Sequence, residues 1–221
     1  MEPAEGPHDV FVSNVGLTEH ILEFCRLSDA RIIIPSTASY RDRSLSVQSK
    51  EDDEICAENP YSFSKFILEQ ICNFYCRKYL VNAVLLRLFN VYGPGQTDEF
   101  LIPWIIKQVE RSKVVQVKDP ESKRDFIFVS DVVQAFLLAE RNGRPGECYN
   151  IGSGETTGVR ELVSEICKIW ELDRIPVTSD QDSRKMGVTR ADISKARAEL
   201  RWSPTVDLCL GLKRVRESMI S

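Results

Sequence analysis

The sequence predicts an α/β fold in which a partial parallel sheet is flanked by helices and followed by a smaller mixed α/β region. Three observations predict it. Arg31-Ile32-Ile33-Ile34-Pro35-Ser36 and Val81-Asn82-Ala83-Val84-Leu85-Leu86-Arg87-Leu88 are short, nearly continuous apolar runs, as expected of strands covered on both faces. An apolar helical segment lies between them, so strand, loop, helix and strand form a βαβ unit, a connection that crosses over right-handed. After residue 90 the elements become short and mixed. That change places a boundary near residue 95: residues 1–95 belong to the sheet region, and 96–221 mainly to a second region with some segments returning to the sheet.

Residues 1–13 are polar and show no clear period. From Asn14 to Leu27, the positions Val15, Leu17, Ile21, Leu22, Phe24 and Cys25 fit a helix with one buried face. The first strand ends in small polar residues at Ser36. The stretch from Thr37 to Asn59 reads as a loop rich in Ser, Asp and Glu, and a loop of that length is usually functional or mobile. Asn59 is a good helix N-cap and Pro60 a good first helical residue, so a helix starts there and runs to about Tyr79. The second strand follows, then a turn-rich segment, Val91-Tyr92-Gly93-Pro94-Gly95-Gln96. Further on, a helix over Ile102–Arg111, strands at Val114–Val117 and Lys123–Val129, and a helix over Asp131–Arg141 are expected. Cys148–Ile151 reads as a strand, and Thr157 as the cap of the helix carrying Leu162, Val163, Ile166 and Ile169. Two helical stretches, Asp192–Leu200 and Leu208–Met219, close the chain around Trp202-Ser203-Pro204.

The 221 residues are 43% hydrophobic and 28% charged with a formal net charge of −4, which argues against a nucleic-acid footprint. No apolar run approaches the ~20 residues of a membrane span. The acidic start, Met1-Glu2-Pro3-Ala4-Glu5-Gly6-Pro7, lacks the apolar core of a signal peptide. Seven cysteines include no CxxC pair. Cys72 and Cys76 share a helix face, but no His or Cys pair stands nearby to complete a zinc site. The expectation is reduced thiols packed as small hydrophobes, no metal, and a cytoplasmic protein. His8 and His20 lie outside every motif and read as surface residues.

Chemistry concentrates at Tyr61 and Lys65. Four residues apart, they stand on one helix face. They also lie in the first turn, where the helix dipole favours negative charge. Dipole and ammonium together predict a phenol pKa below its ordinary ~10, which suits a general base for a hydroxyl. Ligands in open α/β sheets bind beyond the carboxyl ends of the strands. Ser36, then Arg87, Phe89 and Asn90, mark two such ends, and the Tyr61 helix opens on the same edge.

These pieces resemble the extended short-chain dehydrogenase/reductases of the NAD-dependent nucleotide-sugar epimerase/dehydratase family, UDP-glucose 4-epimerases among them. The resemblance rests on Asn59-Pro60-Tyr61-x-x-x-Lys65 and Leu86-Arg87-Leu88-Phe89-Asn90-Val91-Tyr92-Gly93-Pro94-Gly95. It continues through Arg124-Asp125-Phe126-Ile127-Phe128-Val129-Ser130-Asp131 and Tyr149-Asn150-Ile151-Gly152. Asp192-Ile193-Ser194-Lys195-Ala196 and Leu200-Arg201-Trp202-Ser203-Pro204 complete it. It implies a Rossmann-type dinucleotide domain followed by a nucleotide-sugar region. Ser36, Tyr61 and Lys65 become the implied catalytic group. Asn14 and Phe89 would stand with Tyr61 and Lys65 at the NAD, and Asn90, Arg124 and either Arg184 or Arg190 with Ser36 at the sugar diphosphate. Asp125 and Asp131 are expected to be structural.

The family's dehydratases and decarboxylases resemble Thr-Asp-Glu or Thr-Ser-Glu at the Ser36 position, where the Glu is a base. Ser36-Thr37-Ala38 has no carboxylate, which favours an epimerase or a 4-keto reductase over a 4,6-dehydratase. The chain departs from the family in having no GxxGxxG loop for the NAD pyrophosphate. The resemblance places its start at the family's fourth helix. Expected readings are therefore a truncated epimerase-like chain, one completed by an N-terminal partner or a homodimer, or a non-catalytic nucleotide-sugar-binding remnant.

Overall fold

In the computed structural model, which describes residues 6–39, 48–112, 114–173, 175–179 and 187–220, the chain turns helical at Pro7. Proline is favoured at that first position because the missing N–H has no intrahelical partner to lose. Helix α1 (Pro7–Phe11), a π turn (Val12–Gly16) and α2 (Leu17–Ser28) follow without a break, so the helix starts earlier than the apolar period indicates. Its buried side is the narrow stripe of Val10, Thr18, Leu22 and Cys25, while Leu17, Phe24 and Leu27 are exposed. The expected inward face was too wide by Leu17 and Phe24, because only the flank laid against one neighbouring helix is covered.

Asp29 closes α2 in the left-handed conformation and the chain enters β1 (Ile32–Thr37). Helix α3 (Pro60–Tyr79) begins at Asn59, as the sequence indicates. The Asn59 side chain accepts from the Ser62 N–H at 2.9 Å, and the Ser62 hydroxyl accepts from the Asn59 N–H at 3.2 Å. These bonds satisfy two donors that a bare helix start would leave unpaired. Leu80, left-handed, ends α3 and leads to β2 (Ala83–Leu88). β1 and β2 are parallel from Ile32↔Ala83 to Thr37↔Leu88, and β7 (Cys148–Ile151) adds to the other side of β2.

The strand order β1-β2-β7 explains a difference in burial. β2, paired on both sides, is buried almost throughout, whereas Ile32 and Ile33 of β1 are half-buried and Pro35 is exposed. Among the described residues β1 is an edge strand, so its apolar run does not make a fully covered strand. Proline at Pro35 fits that position, since it has no N–H to offer a ladder.

The rest of the chain forms β3 (Asn90–Tyr92), α4 (Leu101–Arg111), β4 (Val115–Val117), β5 (Lys123–Arg124), β6 (Phe126–Phe128) and α5 (Val129–Asn142). After β7 come β8 (Thr157–Gly158), α6 (Val159–Ile169), β9 (Val177–Ser179), a second π turn at Ala196–Leu200, and α7 (Leu208–Ile220). The single strand expected over Lys123–Val129 is split at Asp125, and Gly158 rather than Thr157 caps α6. Small parallel pairs β3–β6 and β4–β9 and an antiparallel pair β5–β8 hold this part together. Gly211 of α7 lies against Tyr92, whose hydroxyl fills the space a Cβ would need.

Three apolar cores result. One packs α2 and α3 on the sheet through Leu22, Cys25, Leu68, Cys72, Cys76 and Leu85. A second joins α5, β2 and β7 to Trp202, and the third gathers α4, α6 and α7 about Tyr92 and Phe128.

Candidate active site

β1 and β2 end side by side at Thr37 and Leu88, and the Ala38 N–H donates to the Leu88 carbonyl at 3.0 Å. The first turn of α3 opens over these ends. Successive residues of a strand leave it by opposite faces, and Ser36 shares the face of Ile34, which packs with Leu68 and Cys72 of α3. At the strand's end the Thr37 hydroxyl favours the charged form of the Tyr61 phenol. Ser36, also buried, precedes it in register with Arg87.

Lys65 lies one turn beyond Tyr61 and donates to the Pro35 carbonyl at 3.4 Å. Burial holds its ammonium below the ordinary lysine pKa. Burial also pushes the Tyr61 phenol up, and the Thr37 hydroxyl only partly opposes it. The expected lowering of the phenol is therefore corrected in direction. Lys65 is turned to a carbonyl, and desolvation of the hydroxyl end outweighs the helix dipole. Tyr61 retains 41% of its surface in solvent, which screens the effect.

A third member of this helix face was legible in the spacing and not recognised. Glu69, four residues past Lys65, takes both Arg87 Nε (3.0 Å) and Nη2 (2.8 Å), and Arg87 Nη1 donates to the Glu51 carbonyl at 2.9 Å. This buried fork fixes α3 to β2 directly beneath the Tyr61–Lys65 pair. Asn14 stands away from the strand ends, with its amide donating to Ser64 Oγ at 3.0 Å.

A cleft of about 140 Å³ runs beside Thr37 and is lined by Ser39, Phe89, Asn90, Ser122, Lys123, Arg124 and Thr189, among others. It brings Phe89, Asn90 and Arg124 together, while Ser36, Tyr61 and Lys65 are not among the residues that line it. Asn90 Nδ2 donates to the Asp125 carbonyl at 2.8 Å, which aims the side chain along the cleft rim. Ser122, Lys123 and Thr189 carried no sequence signal, because Lys123 meets Gly187 and Thr189 only through pairing of distant backbone. Arg184 lies outside the described residues. Arg190 donates to the Gly154 carbonyl at 2.5 Å and pairs with Glu155.

Asp125 and Asp131 are occupied structurally. Asp125 accepts from the backbone of Ser153, Gly154 and Ala191, and Asp131 from that of Thr205 and Val206. A larger open cleft of about 540 Å³ between α6 and α7 shares no lining residue with this site. Chemistry, not size, selects the smaller one. Among the described residues no cluster of His, Cys, Asp or Glu is placed to hold a metal ion, and no helix is long and apolar enough to cross a membrane.

Comparison with known proteins gives a consistent picture. Residues 2–152 match the model of the NAD dependent epimerase/dehydratase family. An uncharacterized UDP-glucose epimerase of Bacillus subtilis is 31% identical over 93% of this chain and 66% of its own length. A dTDP-4-dehydro-6-deoxyglucose reductase of Escherichia coli is 32% identical over 76% of this chain and 55% of its own. The chain thus spans about two thirds or less of the length of these curated relatives. Among solved structures, the UDP-glucose 4-epimerase of Thermotoga maritima with UDP-glucose superposes with a TM-score of 0.87 at 28% identity, covering 97% of this chain and 71% of that one. The UDP-glucuronic acid 4-epimerase of Bacillus cereus in complex with NAD gives 0.82 at 29% identity, covering 93% and 65%.

Proposed function

The chain belongs to the NAD dependent epimerase/dehydratase family, and within it we propose an NAD-dependent, 4-epimerase-like activity on a nucleotide-diphosphate sugar. One observation carries the reading. A tyrosine in the first turn of a helix stands over the ends of two parallel strands that carry Ser36 and Thr37, with a lysine one turn away bonded to the first of those strands. Relatives acting on UDP-glucose and UDP-glucuronic acid support the substrate class.

The residues present fit one end of the dinucleotide. Lys65 has three donors, and its long bond to Pro35 leaves capacity for ribose hydroxyls. Phe89, 7% exposed, packs in the core that joins β2 to α5. The pyrophosphate end has no glycine-rich cradle within these 221 residues. When bound, the nicotinamide supplies hydride acceptance and return.

Tyr61 takes the proton of the sugar hydroxyl as the alcohol is oxidised to a ketone, and gives it back on reduction. Ser36, in the role the resemblance gives it, or its neighbour Thr37 hydrogen-bonds the reacting oxygen. Lys65 stabilises the phenolate that takes up this proton and that is regenerated when the proton is given back. Asn90 and Arg124 hold the diphosphate, with Arg184 assigned there by resemblance. An Arg fork suits phosphate oxygens. Shifting the reacting hydroxyl to Thr37 leaves Ala38 and Ser39 after it, so a dehydratase's carboxylate base is still missing. That favours epimerase or 4-keto reductase chemistry.

A second reading is a chain that binds nucleotide sugar without turnover. Denaturing the purified protein and measuring released NAD(H) per chain separates the two. Near-stoichiometric cofactor, with turnover abolished and sugar-nucleotide binding retained in Tyr61→Phe, is the expected result. Absence of cofactor and of uptake on titration would establish the second reading, and unchanged turnover in Tyr61→Phe would sink the catalytic assignment.

A further inference from the structure

Ser64 sits between Tyr61 and Lys65 in sequence but turns away from the strand ends, and it is fully buried. Its hydroxyl donates to the Tyr61 carbonyl at 2.8 Å and accepts from Asn14 Nδ2 at 3.0 Å. A hydroxyl has one proton and two lone pairs, so these two bonds use its single donor. Asn14 belongs to the π turn between α1 and α2, and the Thr18 hydroxyl holds the Asn14 carbonyl at 2.6 Å.

The π turn explains why Asn14 can reach. Val10, Asn14, Thr18 and Leu22 follow one another at intervals of four. On an ordinary helix such a row drifts by about 40° at each step. A π turn holds one extra residue, which absorbs the drift and keeps the Asn14 amide on the flank facing α3. On the same crossing, Phe11 and Phe63 meet edge to face at 6.1 Å. The first turn of α3 is thus tied to a second helix as well as to its own cap.

We propose that Ser64 is a positioning residue: bonded to Asn14, it locks the first turn of α3 so that the Tyr61 phenol stays in place over the ends of β1 and β2. Its functional meaning rests on reading Tyr61 as the proton-transfer group, but the clamp itself is testable without turnover. The polar groups described around the phenol are the Thr37 hydroxyl and, one turn on, the Lys65 ammonium. Neither is altered by changing Ser64 or Asn14.

The test is titration of the full chain carrying 13C-labelled tyrosines, followed by NMR, with Tyr61→Phe assigning the resonance. Ser64→Ala and Asn14→Ala should each lower the Tyr61 midpoint towards the ordinary ~10, because loosening the turn returns the phenol to water. The double variant should move it no further, since one clamp is being removed. Tyr75, Tyr79, Tyr92 and Tyr149 should keep their midpoints. Ser28→Ala, which deletes a comparable serine-to-carbonyl bond at 2.7 Å on α2, should leave Tyr61 unmoved. Asn14→Ala leaves the sequence of α3 intact and decides the matter if Ser64→Ala fails to fold. A stationary Tyr61 midpoint overturns the proposal, as does a common shift of all tyrosines, which marks general loosening. A chain that shows the Tyr61 shift yet turns over no nucleotide sugar would refute the catalytic reading alone.

Discussion

At Tyr61 two opposing effects are set by single neighbours. Burial raises the phenol, while the Thr37 hydroxyl lowers it. Removing only the second effect isolates it. Thr37→Val should raise the Tyr61 midpoint further, measured by the same labelled-tyrosine titration, and cut any nucleotide-sugar turnover by about 10²-fold, the scale of a lost proton-transfer contact. Ser36→Ala should leave the midpoint where it is. If the two substitutions exchange these outcomes, the reacting hydroxyl belongs to Ser36. By alternation Ser36 shares the face of Ile34, which packs with Leu68 and Cys72 of α3, a facing that the apolar run itself does not reveal.

Helix α3 carries the site on one flank and the core on another. Tyr61, Lys65 and Glu69 descend at intervals of four from the strand ends, while Leu68, Cys72 and Cys76 pack with α2 and the sheet. The helix can hold Tyr61 only if its first turn does not fray, and that turn depends on Asn59 and Ser62. Asn59→Ala should cost about 1 kcal/mol in chemical denaturation, and Asn59→Asp close to nothing, since both Asn and Asp cap well. Equal losses from the two would mean that the cap contributes nothing specific. The start and end of α3 were readable from Asn59-Pro60 and from the end of the apolar period. The partner of its buried Glu69 was not, since Arg87 reaches it only when β2 lies beside β1.

Across the molecule, the segment after residue 47 is pinned to the sheet by polar groups. The Ser49 carbonyl accepts from Asn150 Nδ2 and from the Asp192 N–H, and the Glu51 carboxylate accepts the Asn150 N–H at 2.9 Å. Burial, the larger effect, pushes the Glu51 carboxyl above its ordinary value, and that backbone bond opposes it. Below the unfolded value of ~4.3, folded and unfolded chains both hold the proton. As pH rises from there to the folded value, the unfolded chain gives its proton up first, so folding loses stability across that window. Glu51→Gln should therefore be more stable than the native chain at pH 7, with the gain vanishing near pH 4. Urea unfolding at both pH values checks this. A gain that does not change with pH would show that burial of the charge is not its cause.

The sequence by itself determined the βαβ unit, the cap and length of α3, the Tyr61–Lys65 pair and the family. Each depends on local chemistry: apolar runs, helix-start residues, and the spacing of side chains on one element. Tertiary structure alone decided three things. It made β1 an edge strand with half-covered isoleucines, joined buried Glu69 to Arg87, and raised the Tyr61 pKa that spacing had suggested would fall. All three depend on which neighbour covers which face. Burial and strand facing arise between segments distant in the chain, where local pattern carries no information.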